Sequence, residues 1–132
     1  MKTITFMCNK LARDKVAETM RQTGITTKHR QVTPDELRAL LSQKLLEEAT
    51  EVTQATNRED IISELADVCE VIDGLKKAHA IASEEIAVIQ ATKRQKRGGF
   101  EQGVFLESIT LAENNEWTQI FRASPDRYIE KK

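Results

Sequence analysis

The sequence predicts an all-α protein, a bundle of four to five helices followed by a short C-terminal β-hairpin. Apolar residues recur at helical spacing through residues 9–98, and capping residues or glycines bound each periodic segment. After Gly103 the pattern changes to β-prone stretches. The chain has 132 residues, of which 39% are hydrophobic and 31% charged. This length predicts a single domain, with a helical core at about 9–98 and a β-prone tail at about 104–123.

The first two helices are predicted from their end signals. Residues 9–23 form an apolar-periodic segment that Gly24 should terminate. A second helix should begin after Thr33, because Pro34 and Glu36 follow at the positions of a favoured first-turn proline and a capping box. We expect this helix to run to about Thr56, with Asn57 breaking it.

The remaining elements follow from spacing. Residues 59–80 carry apolar side chains every three or four residues, which predicts a third helix. Ser83 should cap a fourth helix that stops at Gly98. Residues 104–111 and 117–123 are β-prone and joined by a polar segment, so we expect a hairpin that packs on the helices or on another subunit.

Composition excludes several functional classes. The formal net charge is −1, so nothing draws the whole chain toward nucleic acid or an anionic membrane. The basic residues at 93–97 are few and end a predicted helix, so we rank nucleic-acid binding low. No segment is apolar enough to span a bilayer, and no signal peptide is evident. Together these two absences predict a cytoplasmic protein. Cys8 and Cys69 lie in apolar neighbourhoods, which predicts buried free thiols.

Four acidic residues lie on the wrong side of their helices for a solvated surface. On a helical wheel, Glu48 and Glu51 fall within the apolar stripe of the second helix. Glu64 and Asp67 fall on one flank of the apolar stripe of the third helix. We therefore expect two acidic pairs, each with a spacing of three residues, to turn toward the protein interior.

Buried carboxylates without partners are too costly to keep, since each such charge costs several kcal/mol. Lys44 is the one inward-facing base on these helices. Paired acids on helices are usually solvated, and Glu48 can also form an ordinary ion pair with Lys44. The second inward acidic pair favours a divalent cation instead, and an all-oxygen ligand set suits Mg²⁺, with Mn²⁺ as a possible substitute.

The same residues resemble a known signature. Residues 44–52, KLLEEATEV, followed by ELADV at 64–68, are similar to the paired ExxE and ExxD motifs of the all-α nucleoside triphosphate pyrophosphohydrolases. This superfamily includes MazG-like proteins, dimeric dUTPases and phosphoribosyl-ATP pyrophosphohydrolase. NKLARDKV at 9–16 and RGGF at 97–100 further resemble one phosphoribosyl-ATP-pyrophosphohydrolase-like branch, although Ala12 stands where that branch usually has Val.

The resemblance implies hydrolysis of a nucleotide between its α and β phosphates, giving a monophosphate and pyrophosphate. By position, Glu48, Glu51, Glu64 and Asp67 would bind Mg²⁺, and Glu47 would orient or deprotonate the attacking water. Four cations are candidates for contacting the substrate: Lys44, Lys93, Arg97 and Arg13. Clustered metal ions are suited to this reaction because they neutralise phosphate charge.

The leading interpretation is an enzyme that removes unwanted nucleotides from the cellular pool, and two alternatives to it stay open. One is a phosphoribosyl-ATP pyrophosphohydrolase of histidine biosynthesis, and the other is a helical oligomerisation or regulatory module without catalysis. Relatives of this type pair helices between subunits, and Leu46 lies opposite the main apolar stripe of the second helix. We therefore expect a homodimer or homotetramer that binds a nucleotide but neither nucleic acid nor membrane.

Overall fold

The structure is a computed structural model that describes residues Met1–Lys132 and contains five helices and no strands. The all-α prediction is confirmed. The helices are α1 (Val16–Gln22), α2 (Pro34–Gln54), α3 (Arg58–Ala78), α4 (Ser83–Arg97) and α5 (Thr118–Arg122). None of them combines the length and the hydropathy that crossing a membrane requires.

The first helix is shorter than predicted. Asn9 has a φ of 47°, which a right-handed helix cannot include, and α1 begins only at Val16. Its end lies where Gly24 predicted it. Gly24 adopts a φ of 85°, and its amide donates a hydrogen bond to the Arg21 carbonyl at 3.1 Å.

The starts of α2 and α3 are both fixed by side-chain caps. The Glu36 amide donates to the Thr33 hydroxyl at 3.2 Å, and the Thr33 amide donates to the Glu36 carboxylate at 3.3 Å. This is the predicted capping box. Asn57 does more than break α2, because its side chain caps α3 by accepting a hydrogen bond from the Asp60 amide at 2.9 Å.

The extensive helix packing of the chain is between α2 and α3. Its core is small: Leu41 on α2 and Val71 on α3 are the only buried apolar residues. Gly74 lies directly against Leu41, since a Cβ added to this glycine would come within 3.1 Å of a Leu41 methyl carbon. The two helices therefore approach closely at Gly74, and few of the apolar side chains between them are fully buried.

Most of the apolar stripe of α3 does not face α2. Ile61, Leu65 and Ile72 lie along this stripe, and all three stay exposed. The prediction that Cys8 and Cys69 are buried is wrong, because both thiols are free and exposed. Cys69 is exposed because it adjoins the unpaired stripe, and Cys8 because the segment before α1 forms no helix.

The chain divides into two compact units, Met1–Lys93 and Arg94–Lys132. The second unit contradicts the predicted β-hairpin. Residues 104–111 form no strand, and the other half of the predicted hairpin is α5. Asn115 accepts a hydrogen bond from the Trp117 amide at 2.9 Å in the turn that precedes α5.

The spacing of the aromatic residues in the tail is compatible with the predicted strand and with the observed helix. Trp117 and Phe121 are four residues apart, a spacing that places two side chains on one face of a strand but also on one side of a helix. Trp117 directly precedes α5 and Phe121 lies within it. Their rings stack with centroids 6.3 Å apart, and Phe121 also contacts Tyr128. The Thr118 hydroxyl, which is buried, donates to the Ala112 carbonyl at 3.2 Å.

Candidate metal centre

Four carboxylates converge at the seam between α2 and α3. Glu48 and Glu51 lie on α2 and Glu64 and Asp67 on α3, in each case one helical turn apart. Each residue offers one oxygen, and these four oxygens lie within 4.8 Å of one another. The close approach of the two helices therefore brings together the four acidic side chains that the sequence placed on inward faces.

Glu48 is the most buried member of this acidic cluster, with only 7% of its surface exposed. Its Oε2 atom is buried and has no hydrogen-bond partner, and the same is true of Oε2 of Glu64. Burial raises the pKa of the Glu48 carboxyl, and the neighbouring Glu51 raises it further, whereas Lys44 lowers it in part. The centre of the cluster is thus short of positive charge.

Lys44 and Glu47 lie at the edge of the cluster. The Lys44 Nζ atom is 3.3 Å from Glu47 Oε2 and 3.4 Å from Glu48 Oε1, so one ammonium group is shared between two carboxylates. Burial works to lower the pKa of Lys44, but its bonds to the two carboxylates leave that pKa raised. Glu47 is half-exposed and lies outside the four-residue group.

Arg13 joins the cluster from a distant part of the sequence. Its Nη2 atom donates a hydrogen bond to Asp67 Oδ1 at 2.6 Å, although the two residues are 54 positions apart. Arg13 precedes α1 and belongs to no helix. The sequence had placed it within a helix as a substrate contact, and no signal in the sequence indicates its ion pair with Asp67.

Lys93 and Arg97 lie on α4, and the side chains of both are exposed. Lys93 ends the first unit and Arg97 belongs to the second. Neither residue forms an ion pair with an acidic side chain. Their positive charges are therefore not neutralised by the protein itself.

The acidic cluster fits a divalent cation. A structural cluster would be expected to satisfy its carboxylates with bases or hydrogen bonds, yet two buried oxygens have no partner. All the available ligand atoms are carboxylate oxygens, which hard divalent ions prefer. Glu48, Glu51, Glu64 and Asp67 are thus the residues that would hold such an ion.

Comparisons with known proteins agree with this chemistry. The family model of phosphoribosyl-ATP pyrophosphohydrolase matches residues 13–96, which is more than half of the chain and includes the whole acidic cluster. No curated protein and no solved structure gave a match. The chain therefore belongs to the phosphoribosyl-ATP pyrophosphohydrolase family, within the MazG-like all-α pyrophosphohydrolases, and is an enzyme that hydrolyses phosphoanhydride bonds.

Proposed function

We propose that the protein hydrolyses a nucleotide triphosphate chain between the α and β phosphates in a Mg²⁺-dependent reaction, releasing pyrophosphate. The observation that carries this proposal is the group of four carboxylate oxygens within 4.8 Å of one another, two of whose residues each have a buried oxygen without a partner. A polyphosphate is strongly anionic, so an acidic site can bind it only through cations. Divalent ions at this seam would satisfy the acidic cluster and the phosphates together.

Glu48, Glu51, Glu64 and Asp67 are the residues that would hold Mg²⁺. When bound, Mg²⁺ neutralises the charge that develops on the phosphate oxygens. Glu47 is the residue we propose to orient the attacking water and accept its proton. Its carboxylate is half-exposed and adjacent to the cluster, and Lys44 holds it from one side.

The remaining cations are proposed to contact the substrate. Lys93 and Arg97 have no acidic partner, so binding phosphate costs them no existing ion pair. Lys44 already bonds to two carboxylates, and we propose that it fixes Glu47 in addition to lying near the phosphates. Arg97 is the last residue of α4 and directly precedes Gly98, which has a φ of 81°, so its exposed side chain lies at the end of the helix.

The family match favours phosphoribosyl-ATP as the substrate, in the corresponding step of histidine biosynthesis. An ordinary or non-standard nucleoside triphosphate carries the same triphosphate chain and would use the same metal centre. A panel of these nucleotides distinguishes the two substrate classes. Each nucleotide is incubated with purified protein and Mg²⁺, and pyrophosphate and nucleotide products are measured. We expect a monophosphate product and pyrophosphate, whereas release of orthophosphate alone would reject the assigned bond.

Two variants test the assigned site. Glu48→Gln and Asp67→Asn each remove one charged ligand without changing side-chain size, so both should abolish hydrolysis while the protein stays folded. Glu70→Gln is the matched control, because Glu70 is an exposed acid of α3 outside the cluster. Hydrolysis that persists in either cluster variant would exclude these residues from the active site.

We also propose a homodimer or homotetramer. Leu65 is 47% exposed although it lies in the middle of the α3 stripe, and Leu46 of α2 is exposed as well. A chain with two buried apolar residues leaves most of its potential hydrophobic stabilisation unused. A second copy that brings the same α3 stripe into contact would bury both stripes in one self-complementary interface.

A further inference from the structure

The ion pair between Arg13 and Asp67 is the one bond that connects the segment before α1 to the acidic cluster. Arg13 Nη2 lies 2.6 Å from Asp67 Oδ1. Arg13 lies just before α1, where its carbonyl accepts a hydrogen bond from the Val16 amide at 3.1 Å, and its side chain reaches α3. The ion pair therefore connects the start of α1 to one carboxylate of the cluster.

The orientation of the Asp67 side chain depends on this bond more than that of Glu48 depends on its ion pair with Lys44. Glu48 is buried and bonded to Lys44, which restricts its side chain. Asp67 is partly exposed, with 37% of its side chain accessible, and makes no other side-chain hydrogen bond. Without Arg13, nothing in the structure would stop its carboxylate from rotating toward solvent.

We infer that Arg13 is a positioning residue for the metal centre, holding Asp67 by one oxygen so that the other oxygen faces the cation. This inference rests on the proposed function, since it assigns a role within the same site. Carboxylates that bind metals are commonly held by such outer partners, and loss of a partner typically weakens metal binding by about 10–100-fold. This positioning role replaces the direct contact with substrate that the sequence had predicted for Arg13.

In the opposite role Arg13 would occupy the place of the cation, and its removal would then change the cation affinity in the opposite direction. If Arg13 merely neutralised the cluster, its removal would leave a more negative site and tighten cation binding. The charges favour positioning. Five carboxylates, including that of Glu47, face only the two cations Lys44 and Arg13, so a divalent ion enters a negative site without displacing either.

The test measures Mn²⁺ binding to the full chain without nucleotide. Binding is monitored by calorimetry and by the paramagnetic signal of free Mn²⁺. We expect the dissociation constant to rise about 10-fold or more in Arg13→Gln. Arg13→Lys should recover most of this loss, because a single nitrogen makes the contact in the structure. Arg21→Gln is the matched control, since it removes a similar ion pair with Glu18, which is not a member of the cluster.

Unchanged or tighter Mn²⁺ binding in Arg13→Gln would overturn the inference. Should that variant fail to fold, Arg13→Met, which keeps the aliphatic part of the side chain, provides the same measurement. The outcome is separable from the proposed function. Wild-type protein that binds no Mn²⁺ and releases no pyrophosphate would refute the metal centre itself, whereas active wild type with an unaffected Arg13 variant would refute only the positioning role.

Discussion

Replacing Glu48 by Gln should stabilise the metal-free protein while removing its activity. Glu48 is 7% exposed, and its Oε2 atom has no hydrogen-bond partner. The raised pKa of this carboxyl, caused by burial and then by Glu51, indicates that its charge is unfavourable in the folded chain. Gln has nearly the same size but no charge, and its amide can donate to the neighbouring Glu51 carboxylate.

The size of the effect follows from the cost of an unsatisfied buried group. Such a group costs roughly 1–3 kcal/mol, and a charged one costs more. Because Gln keeps a polar end and loses the ion pair with Lys44, we expect the free energy of unfolding to rise by only about 1–2 kcal/mol. For a chain of this length, that gain corresponds to a rise in Tm of about 3–8 °C. Metal affinity should fall by more than about 100-fold, since loss of an outer partner alone costs 10–100-fold.

The assay is thermal unfolding followed by circular dichroism, once in EDTA and once in saturating Mg²⁺. Wild type should gain stability from Mg²⁺, whereas Glu48→Gln should be more stable in EDTA and gain almost nothing from the ion. The control Glu70→Gln should behave as wild type in both. A Glu48→Gln protein that is less stable than wild type in EDTA would show that the carboxylate is a structural contact, and the reasoning from burial would be refuted.

Four further predictions follow from single features. The stability difference between Glu48→Gln and wild type in EDTA should shrink as pH falls toward 4.5. The Glu48 carboxyl binds its proton more tightly in the folded state than in the unfolded state, because its pKa is raised on folding. Wild type therefore loses stability as pH rises through this raised pKa. A pH-independent difference would contradict this. Thr33→Ala should lower the free energy of unfolding by about 1 kcal/mol in urea titrations, because it removes the α2 cap, and no change would mean that the cap frays. Gly74→Val should destabilise by about 1–3 kcal/mol, since its side chain meets Leu41, and an unaffected Tm would disprove the close approach. Leu65→Glu should convert the proposed oligomer to a monomer in light scattering, whereas Leu65→Met should keep the wild-type mass. An identical mass for both variants would exclude the α3 stripe as the interface.

Features that depend on neighbouring residues were the ones that sequence could predict. The Thr33 capping box and the end of α1 before Gly24 are set by bonds within a few residues, so the local sequence contains the whole cause. The convergence of the acids on two helices was predictable for the same reason. Helical periodicity fixes which side chains share a face. The connection between α2 and α3 is short, which favours antiparallel packing of the two helices.

Features decided by contacts far along the chain could not be predicted in this way. The ion pair of Arg13 with Asp67 joins residues 54 positions apart, and no pattern within either segment implies it. The tail shows a different limit, because the spacing of Trp117 and Phe121 is compatible with a strand and with a helix. In the structure a local hydrogen bond from the Trp117 amide to the Asn115 side chain precedes the helix, and propensity alone does not reveal such a bond.

The composition of the α2–α3 seam indicates that it is built for binding more than for stability. Two helices that pack only for stability would fill their seam with side chains such as Leu41 and Val71, yet Glu48 and Glu64 lie there with unpaired oxygens. A bound ion at 100 times its dissociation constant contributes about 2.7 kcal/mol, which is comparable to the roughly 1–3 kcal/mol that one unsatisfied buried group costs. On the proposed function, a divalent cation would therefore offset the destabilisation that these carboxylates cause in the metal-free chain.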